Sequence, residues 1–467
     1  MSIIPKLIRK LDKYSYNIYI VGGYIRDKIL NKEVKDYDFV VEKDAETVAK
    51  IAAEKLGGTF VSFMSEKGTF RVIVKDGILD FSELKGEDIY IDLGHRDFTI
   101  NAMAIRLIDY FEYENIIDPF GGIEDIKNRK IRQVSIKTFK EDPLRALRAV
   151  RFAAVYKFDI DEKTKENIKE NAHLIKNVAP ERIMNEFNLI LKVKNSNKYL
   201  NIIEELKLME NIFEEVSKMK EVGKCYYHLS NTWIHSIRTV EEYENIINNM
   251  RFSKEVYDLV LDYLERDISK SNKIRDIIKL AALFHDIGKP ESIYIDSENK
   301  IHFYNHEVKG AEIVKNISLR MKMSNKETSL LKKLVLFHMK PLLFYSNNGP
   351  TNKTLFKFFS DLKDDSIGVL LLSQADFTAT RIFFGKEDDI KKYDEYIAQL
   401  LKKYILFKNT EKPLLSPLDI IINFNLHNGE KLGQILYELR KNQFYGEIKS
   451  KDDAIEFVKE RMSIEKI

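Results

Sequence analysis

Residues 18–41 read IYIVGGYIRDKILNKEVKDYDFVV, and this stretch decides the fold. Ile18-Tyr19-Ile20-Val21 is a β-branched and aromatic run that stops at Gly22-Gly23, which reads as a strand entering a turn. Tyr24 to Leu30 has helical spacing, and Asp36 to Val41 reads as a second strand. Asp36 and Asp38 stand two apart on that strand, so the period of two points both carboxylates to one face. Two adjacent carboxylates repel each other unless a cation lies between them. Mg²⁺, a hard ion that prefers oxygen ligands, suits the pair, and two such ions can clamp the attacking and leaving oxygens of a phosphoryl displacement. Gly22-Gly23 lets a phosphate come close to the backbone, and the free N–H groups at the start of the following helix favour an anion. Arg26, in the first turn, can grip a phosphate bidentately or pair with Asp27. A glycine turn or an Asp-x-Asp alone is most often a solvated loop. Gly-Gly-x-x-Arg-Asp followed nine residues later by Asp-x-Asp is far more specific.

Working outward, Thr69 to Val74 reads as a third strand. Ala45, Val48, Ala49, Ala52 and Ala53 recur at three and four, which predicts a helix over 44–56. The first ~120 residues are therefore a small α/β domain, within the about three domains that 467 residues suggest. After Asp118-Pro119-Phe120-Gly121-Gly122 the strands are expected to stop and helices to dominate, with joints near 195–197 and 346–350. Nine prolines and 19 glycines supply too few turns for a sandwich of many short strands. Apolar residues at 44% and charged ones at 32% exclude wholesale disorder. No apolar run approaches the roughly 18–20 residues that span a bilayer, and the N-terminus lacks a signal-peptide pattern. Cys225 stands alone, so no disulfide partner and no cysteine zinc site is expected. A soluble cytoplasmic protein with no membrane partner is the expectation. Residues 124–151 hold nine Lys/Arg and four Asp/Glu, which concentrates positive charge as a polyanion partner requires.

GGYIRD (22–27), KDYDFVV (35–41), HRDFTINAMA (95–104), DPFGG (118–122), EDPLRALRAVRFA (141–153) and PERIMNEF (180–187) occur in this order. The series resembles the class II tRNA nucleotidyltransferase and bacterial poly(A) polymerase family, over roughly residues 18–190. The resemblance implies an α+β protein. A polymerase-beta-like nucleotidyltransferase head, a small mixed sheet with helices, is followed by an all-helical neck and body. It implies that Asp36 and Asp38 are catalytic and hold Mg²⁺ in the head, and that Gly22, Gly23 and Arg26 meet the triphosphate. Arg96 and Asp97 match the motif that binds ribose and phosphate. His95 stands where the family usually has a second Arg, so no role is carried to it. Pro143 suits a first helical position with Asp142 as N-cap, and Arg145, Arg148 and Arg151 then follow at steps of three. Capping and a solvated arginine stripe would explain these residues locally. The resemblance implies more: Asp142 and Arg145 read the Watson–Crick edge of the incoming base, and Arg148 and Arg151 lie on its nucleotide side. Glu181, Arg182 and Glu186 are expected to brace that helix, with Arg182 and Glu186 paired at i, i+4.

Six of the nine histidines fall between 228 and 338. His285-Asp286 sits in IKLAALFHDIGKP (278–290), an apolar helix broken by Gly288 and Pro290. Burying these two groups costs several kcal/mol unless they are paired or bind metal. The ordered series His235, His285-Asp286, His306, His338, Asp376 resembles the HD phosphohydrolase superfamily, over about residues 228–385. The resemblance implies an all-helical HD domain with one metal on His235, His285, Asp286 and Asp376. His306 and His338 match positions that hold a second ion in two-metal members. Imidazole and carboxylate suit a divalent transition metal or Mg²⁺. His228 and His302 receive no role, and His173 and His427 read as surface residues. The expected domains are a head at 1–122, a helical neck and RNA/nucleotide-binding body at 123–225, the HD domain at 226–385 and a helical tail at 386–467.

The resemblance implies an enzyme that adds CMP and AMP from CTP and ATP to the acceptor end of tRNA, with a metal-dependent phosphohydrolase beside it. The full CCA product is the expectation because HD-bearing members often make it. Against this, only residues 81–95 separate Asp80 from Arg96. Such a short segment looks like members that add CC alone. An A-adding enzyme and a poly(A) polymerase share most of these motifs. Two readings from other classes are a phosphohydrolase with a nucleotide-sensing head and a non-catalytic tRNA-binding protein.

Overall fold

The computed structural model describes residues 3–11, 18–34, 36–62, 68–222 and 231–464. Cys225 and His228 lie outside the described residues. The chain forms two compact units, Met1–Val193 with Asn201–Ile212, and Lys194–Leu200 with Phe213–Ile467.

The first unit is organised on six strands: β1 (Ile18–Val21), β2 (Asp36–Val41), β3 (Thr59–Ser62), β4 (Thr69–Val74), β5 (Gly77–Glu83) and β6 (Ala104–Arg106). Their order is β3-β4-β5-β2-β1-β6. β2 and β5 run parallel, and the other neighbours are antiparallel. A parallel pair needs a crossover, supplied here by the Ala45–Leu56 helix and the β3–β4 pair. Asp44 caps that helix by accepting the Thr47 N–H, and Gly57 ends it in the left-handed conformation. Its predicted apolar face is buried. Along β2 the exposed Asp36 and Asp38 alternate with buried Tyr37 and Phe39, and Phe39 stacks on Phe81 of β5 at 4.8 Å. This apolar layer holds the strand so that its carboxylates face outward.

In the helical part of this unit, the Arg145–Tyr156 and Pro180–Leu191 helices pack together. The first starts two residues later than Pro143. Pro143 and Leu144 form a turn in which Arg145 N–H bonds to the Asp142 carbonyl at 3.0 Å. The Asp142 carboxylate caps that turn from the Leu144 N–H, 3.2 Å away.

Strands do not end at residue 122. β7 (Lys130–Ile131) pairs with β8 (Asp159–Ile160), and β9 (Ile293–Ile295) with β10 (Ile301–Phe303). Segments of two or three residues are too short to show an alternation, so the sequence gives no sign of them.

Among its described residues, the elements of the second unit other than β9–β10 are helices. Every residue of the Ile274–Phe284 helix except Arg275 is buried. It packs between the Thr232–Asn248 and Asp365–Arg381 helices. Lys279 and Glu244 pair inside this packing at 2.7 Å, and Glu244 also accepts the Ser196 hydroxyl at 2.6 Å. Residues 347–350 are a turn within the unit. Leu415, Ile420, Leu432, Leu439 and Val458 form a separate apolar cluster near the C-terminal end. Among the described residues no helix is long and apolar enough to cross a membrane.

Candidate functional site

β1 ends at Val21, and the φ of +69° at Gly22 turns the chain into the Gly23–Ile29 helix. A Cβ at Gly22 would stand 2.9 Å from Nη1 of Arg96 and 3.8 Å from Oδ2 of Asp38. Only glycine satisfies both the turn and that close approach. The bend, Asp38 and the predicted arginines line one cavity of about 510 Å³. Gly22, Gly23, Arg26, Arg96, Asp97, Asp142, Arg145, Arg148 and Arg151 all contribute to its wall.

Asp38 lies in register with Asp80 on the parallel strand β5. Asp80 therefore adds a third carboxylate to the face that carries Asp36 and Asp38. Its role could not be read from the sequence, because strand pairing alone brings it there. Although its surface is exposed to the cavity, loss of hydration among the neighbouring groups raises the pKa of Asp38. Arg96 and Arg26 oppose this, while Asp80 and Asp36 reinforce it. Asp36 and Asp38 are oxygen donors of the kind that suits Mg²⁺. Arg71 forks onto Asp80 with two contacts of 2.7 Å.

The cationic residues are held by a network the sequence did not display. Arg26 is buried, pairs with Asp27 at 2.8 Å and hydrogen-bonds Asn101. Asn101 in turn donates to Asp97 at 2.9 Å. Arg148 donates to Asp97 Oδ2 at 2.6 Å. Burial opposes the charge of Asp97, yet Arg148, Asn101 and the Phe98 N–H together hold its pKa below the ordinary value. Arg151 meets Glu186 at 2.6 Å. The expected Arg182–Glu186 pair is replaced: Arg182 reaches Asp142 at 2.8 Å, and Glu186 turns to Arg151 and Arg148. Cross-helix partners win because Asp142 and the two arginines face the Pro180–Leu191 helix directly. Arg145 donates to the His95 carbonyl at 2.7 Å, so His95 enters through its backbone.

The second unit brings all six predicted HD residues together. His235 Nε2 lies 2.9 Å from Asp376 Oδ1 and 3.3 Å from His285 Nε2. Asp286 stands between two groups, with Oδ2 3.2 Å from His285 and Oδ1 3.4 Å from His306. His306 and His338 meet through Nε2 at 3.3 Å. Three rings turn Nδ1 toward backbone carbonyls: His285 to Ala282, His306 to Phe303 and His338 to Val335, at 3.0, 2.9 and 2.7 Å. An Nδ1–H bonded in this way leaves the Nε2 lone pair facing inward, the arrangement of a metal-ligating histidine. His235, His285 and Asp376 form one ligand group, and His285, Asp286 and His338 another. The donor set therefore fits a divalent ion. Burial opposes the charge of His285, but Asp286 and Asp376 outweigh it and raise its pKa. Burial, with His285 and His306 nearby, lowers that of His338. Lys289 also reaches Asp286 Oδ2, at 2.6 Å. His302 pairs with Asp296 at 2.6 Å, and His173 and His427 are exposed.

Residues 18–132 match the poly A polymerase head domain, 157–220 the probable RNA and SrmB-binding site of polymerase A, and 232–380 the HD domain. The multifunctional CCA protein of Neisseria meningitidis serogroup A is 30% identical over 339 residues, covering 69% of this chain and 72% of that one. The chain belongs to the tRNA nucleotidyltransferase and poly(A) polymerase family. It is a nucleotidyltransferase with an HD domain, and both families are metal-dependent. The A-adding tRNA nucleotidyltransferase of Deinococcus radiodurans is 26% identical over 446 residues, 94% of each chain. The CC-adding enzyme of Thermus thermophilus is 26% identical over 448 residues, 94% of this chain and 92% of that one. A Thermotoga maritima CCA-adding enzyme complexed with tRNA shares the fold, with a TM-score of 0.67 and 21% identity over 98% of this chain and 95% of that one.

Proposed function

We propose that the chain extends the 3′ end of tRNA with CMP and AMP drawn from CTP and ATP, working in the cytoplasm. One observation carries this reading. The glycine bend, Asp38, Asp142 and Arg145 line a single cavity, so a triphosphate and a base edge can be held together. The tRNA 3′-hydroxyl attacks the α-phosphate and pyrophosphate leaves. Mg²⁺ on Asp36 and Asp38 would supply charge neutralisation at the reacting oxygens, with Asp80 beside them held by Arg71. Gly22 and Gly23 admit the triphosphate to the backbone, and Arg26 and Arg96 stand beside it. Arg148, locked on Asp97, holds the wall of the ribose region. Asp142 accepts from an exocyclic amine and Arg145 donates to a ring nitrogen or carbonyl, so C and A are separated from U and G without a nucleic-acid template. Asp142 gives up Arg182, and Arg145 gives up the His95 carbonyl, when a base takes their place. Binding to tRNA through its phosphates weakens steeply with salt.

The extent of addition has a second reading with its own support. β5 ends at Glu83 and the Ile89–Gly94 helix follows at once, leaving residues 84–88 as the whole loop before Arg96. No long flexible segment is present there, which favours a product that stops at CC. The test offers tRNAs ending at the discriminator base, at C and at CC, each with CTP or ATP alone. Ordered addition to all three supports the full CCA product, and a stop at CC selects the second reading. Long A tails select a poly(A) polymerase, and absence of pyrophosphate release refutes transfer altogether.

The HD residues are read as a phosphohydrolase centre. His235, His285, Asp286 and Asp376 would hold one ion, with His306 and His338 available to a second. A bound ion would supply a water of lowered pKa to a phosphoester.

A further inference from the structure

Beside the histidine cluster lies a cavity of about 500 Å³. Asp286 and Asp376 stand at its polar end, and Phe303, Leu342, Leu343 and Phe377 line its apolar side. Two cations reach it. Lys289 is committed to Asp286 at 2.6 Å. Arg381 lies over the Phe377 ring at 5.2 Å, and its buried Nε finds no hydrogen-bond partner among the described residues. A buried donor without a partner costs free energy that an anion would recover.

Ile301, His302 and Phe303 of β10 line the cavity together with Tyr304, and β9 pairs with β10 beside it. Tyr294 and His302 are register partners, and Tyr304 follows two residues after His302, so the three rings share one face. His302 and Tyr304 stack at 5.3 Å with planes 8° apart, and Tyr294 lies 5.7 Å from Tyr304. Asp296 anchors the His302 ring. Tyr294 and Tyr304 are nevertheless 54% and 60% exposed. An exposed, near-parallel pair of rings, with Tyr294 tilted by 50° beside Tyr304, adjoins a phosphoester site and offers aromatic faces to unpaired bases.

We propose that the β9–β10 hairpin is a base-stacking subsite of the HD centre, which therefore takes a phosphoester borne by a nucleoside, at an RNA 3′ end or free, with Arg381 on the phosphate. The substrate assignment rests on the phosphohydrolase reading; the stacking surface stands apart from it. In the reaction, water adds to phosphorus, the ester P–O bond breaks and the departing oxygen takes the proton.

The test uses the full chain with divalent metal and a short RNA ending in 5-iodouridine 3′-phosphate. Irradiation and peptide mapping should find the adduct within residues 293–304, and Tyr304→Ala should reduce it at least fivefold. In parallel, the KM for uridine 3′-phosphate relative to that for glycerol 2-phosphate should rise about tenfold in Tyr304→Ala. Adducts confined to the head, or an unchanged KM ratio, overturn the proposal. A dimer in sedimentation that Tyr304→Ala dissolves, with no hairpin adduct, assigns the rings to a second copy and also overturns it. If neither ester is hydrolysed while the hairpin adduct forms, the phosphohydrolase reading fails and the stacking subsite stands.

Discussion

Asp38 lies on a strand facing an open cavity, among oxygen donors and arginines. Asp286 is closed in at a helix end, among imidazoles and a lysine. The strand site offers acids that cross-strand register sets side by side, with the remaining space left for substrate. The helical site is complete before anything binds, because backbone carbonyls at Ala282, Phe303 and Val335 already fix three rings. An open site can accept successive nucleotides and a growing RNA end, at the cost of leaving like charges crowded. A closed site gains selectivity for an ion through ligand orientation.

The largest expected effect separates the two centres. Asp36→Ala with Asp38→Ala should lower nucleotide incorporation by about a thousandfold or more, since several kcal/mol of charge stabilisation are lost. Metal retained by the HD residues, measured by elemental analysis, should stay the same; a loss there would break the comparison. His285→Ala removes the residue common to both HD ligand groups. Elemental analysis should show bound divalent metal falling at least tenfold, while primer extension on tRNA continues.

A smaller effect concerns the arginine wall of the open site. Arg148→Met should destabilise the first unit by about 1.5–3 kcal/mol, read from urea midpoints, by leaving Asp97 without its charged partner. The pH dependence has a definite sign. The folded pKa of Asp97 lies below the ordinary 3.8, so its contribution is present above about pH 3.8 and is lost as pH falls through the lower folded value. The difference between wild type and Arg148→Met should therefore shrink in acid. A gap that widened would place the stabilising charge elsewhere. The smallest effect belongs to Arg182→Ala, which frees Asp142 of its ion pair. With an exposed pair worth about 0–1 kcal/mol, the KM for CTP should change by no more than about fivefold, with little change in melting temperature.

Most of the open site is legible in the sequence because its parts are local. The Gly22-Gly23 turn, the period-two spacing of Asp36 and Asp38 and the step of three from Arg145 to Arg151 each follow from one element's geometry. Asp80 was not legible, since only parallel pairing of β2 with β5 places it beside Asp38. The exchange of Arg182–Glu186 for Arg182–Asp142 and Glu186–Arg151 had the same cause: a helix periodicity describes neighbours on one helix and is silent about the next. The aromatic face of β9–β10 escaped because strands of three residues carry no usable period.

The sequence by itself determined which residues have the chemistry for each centre and in what order they lie, since side-chain type and local spacing are properties of the chain alone. Tertiary structure alone decided that Asp80 joins the two strand acids, that six residues spread from 235 to 376 meet in one cluster of two adjoining ligand groups, and that Arg148 closes on Asp97. Those outcomes depend on strand register and helix packing, which bring together groups that no local rule connects.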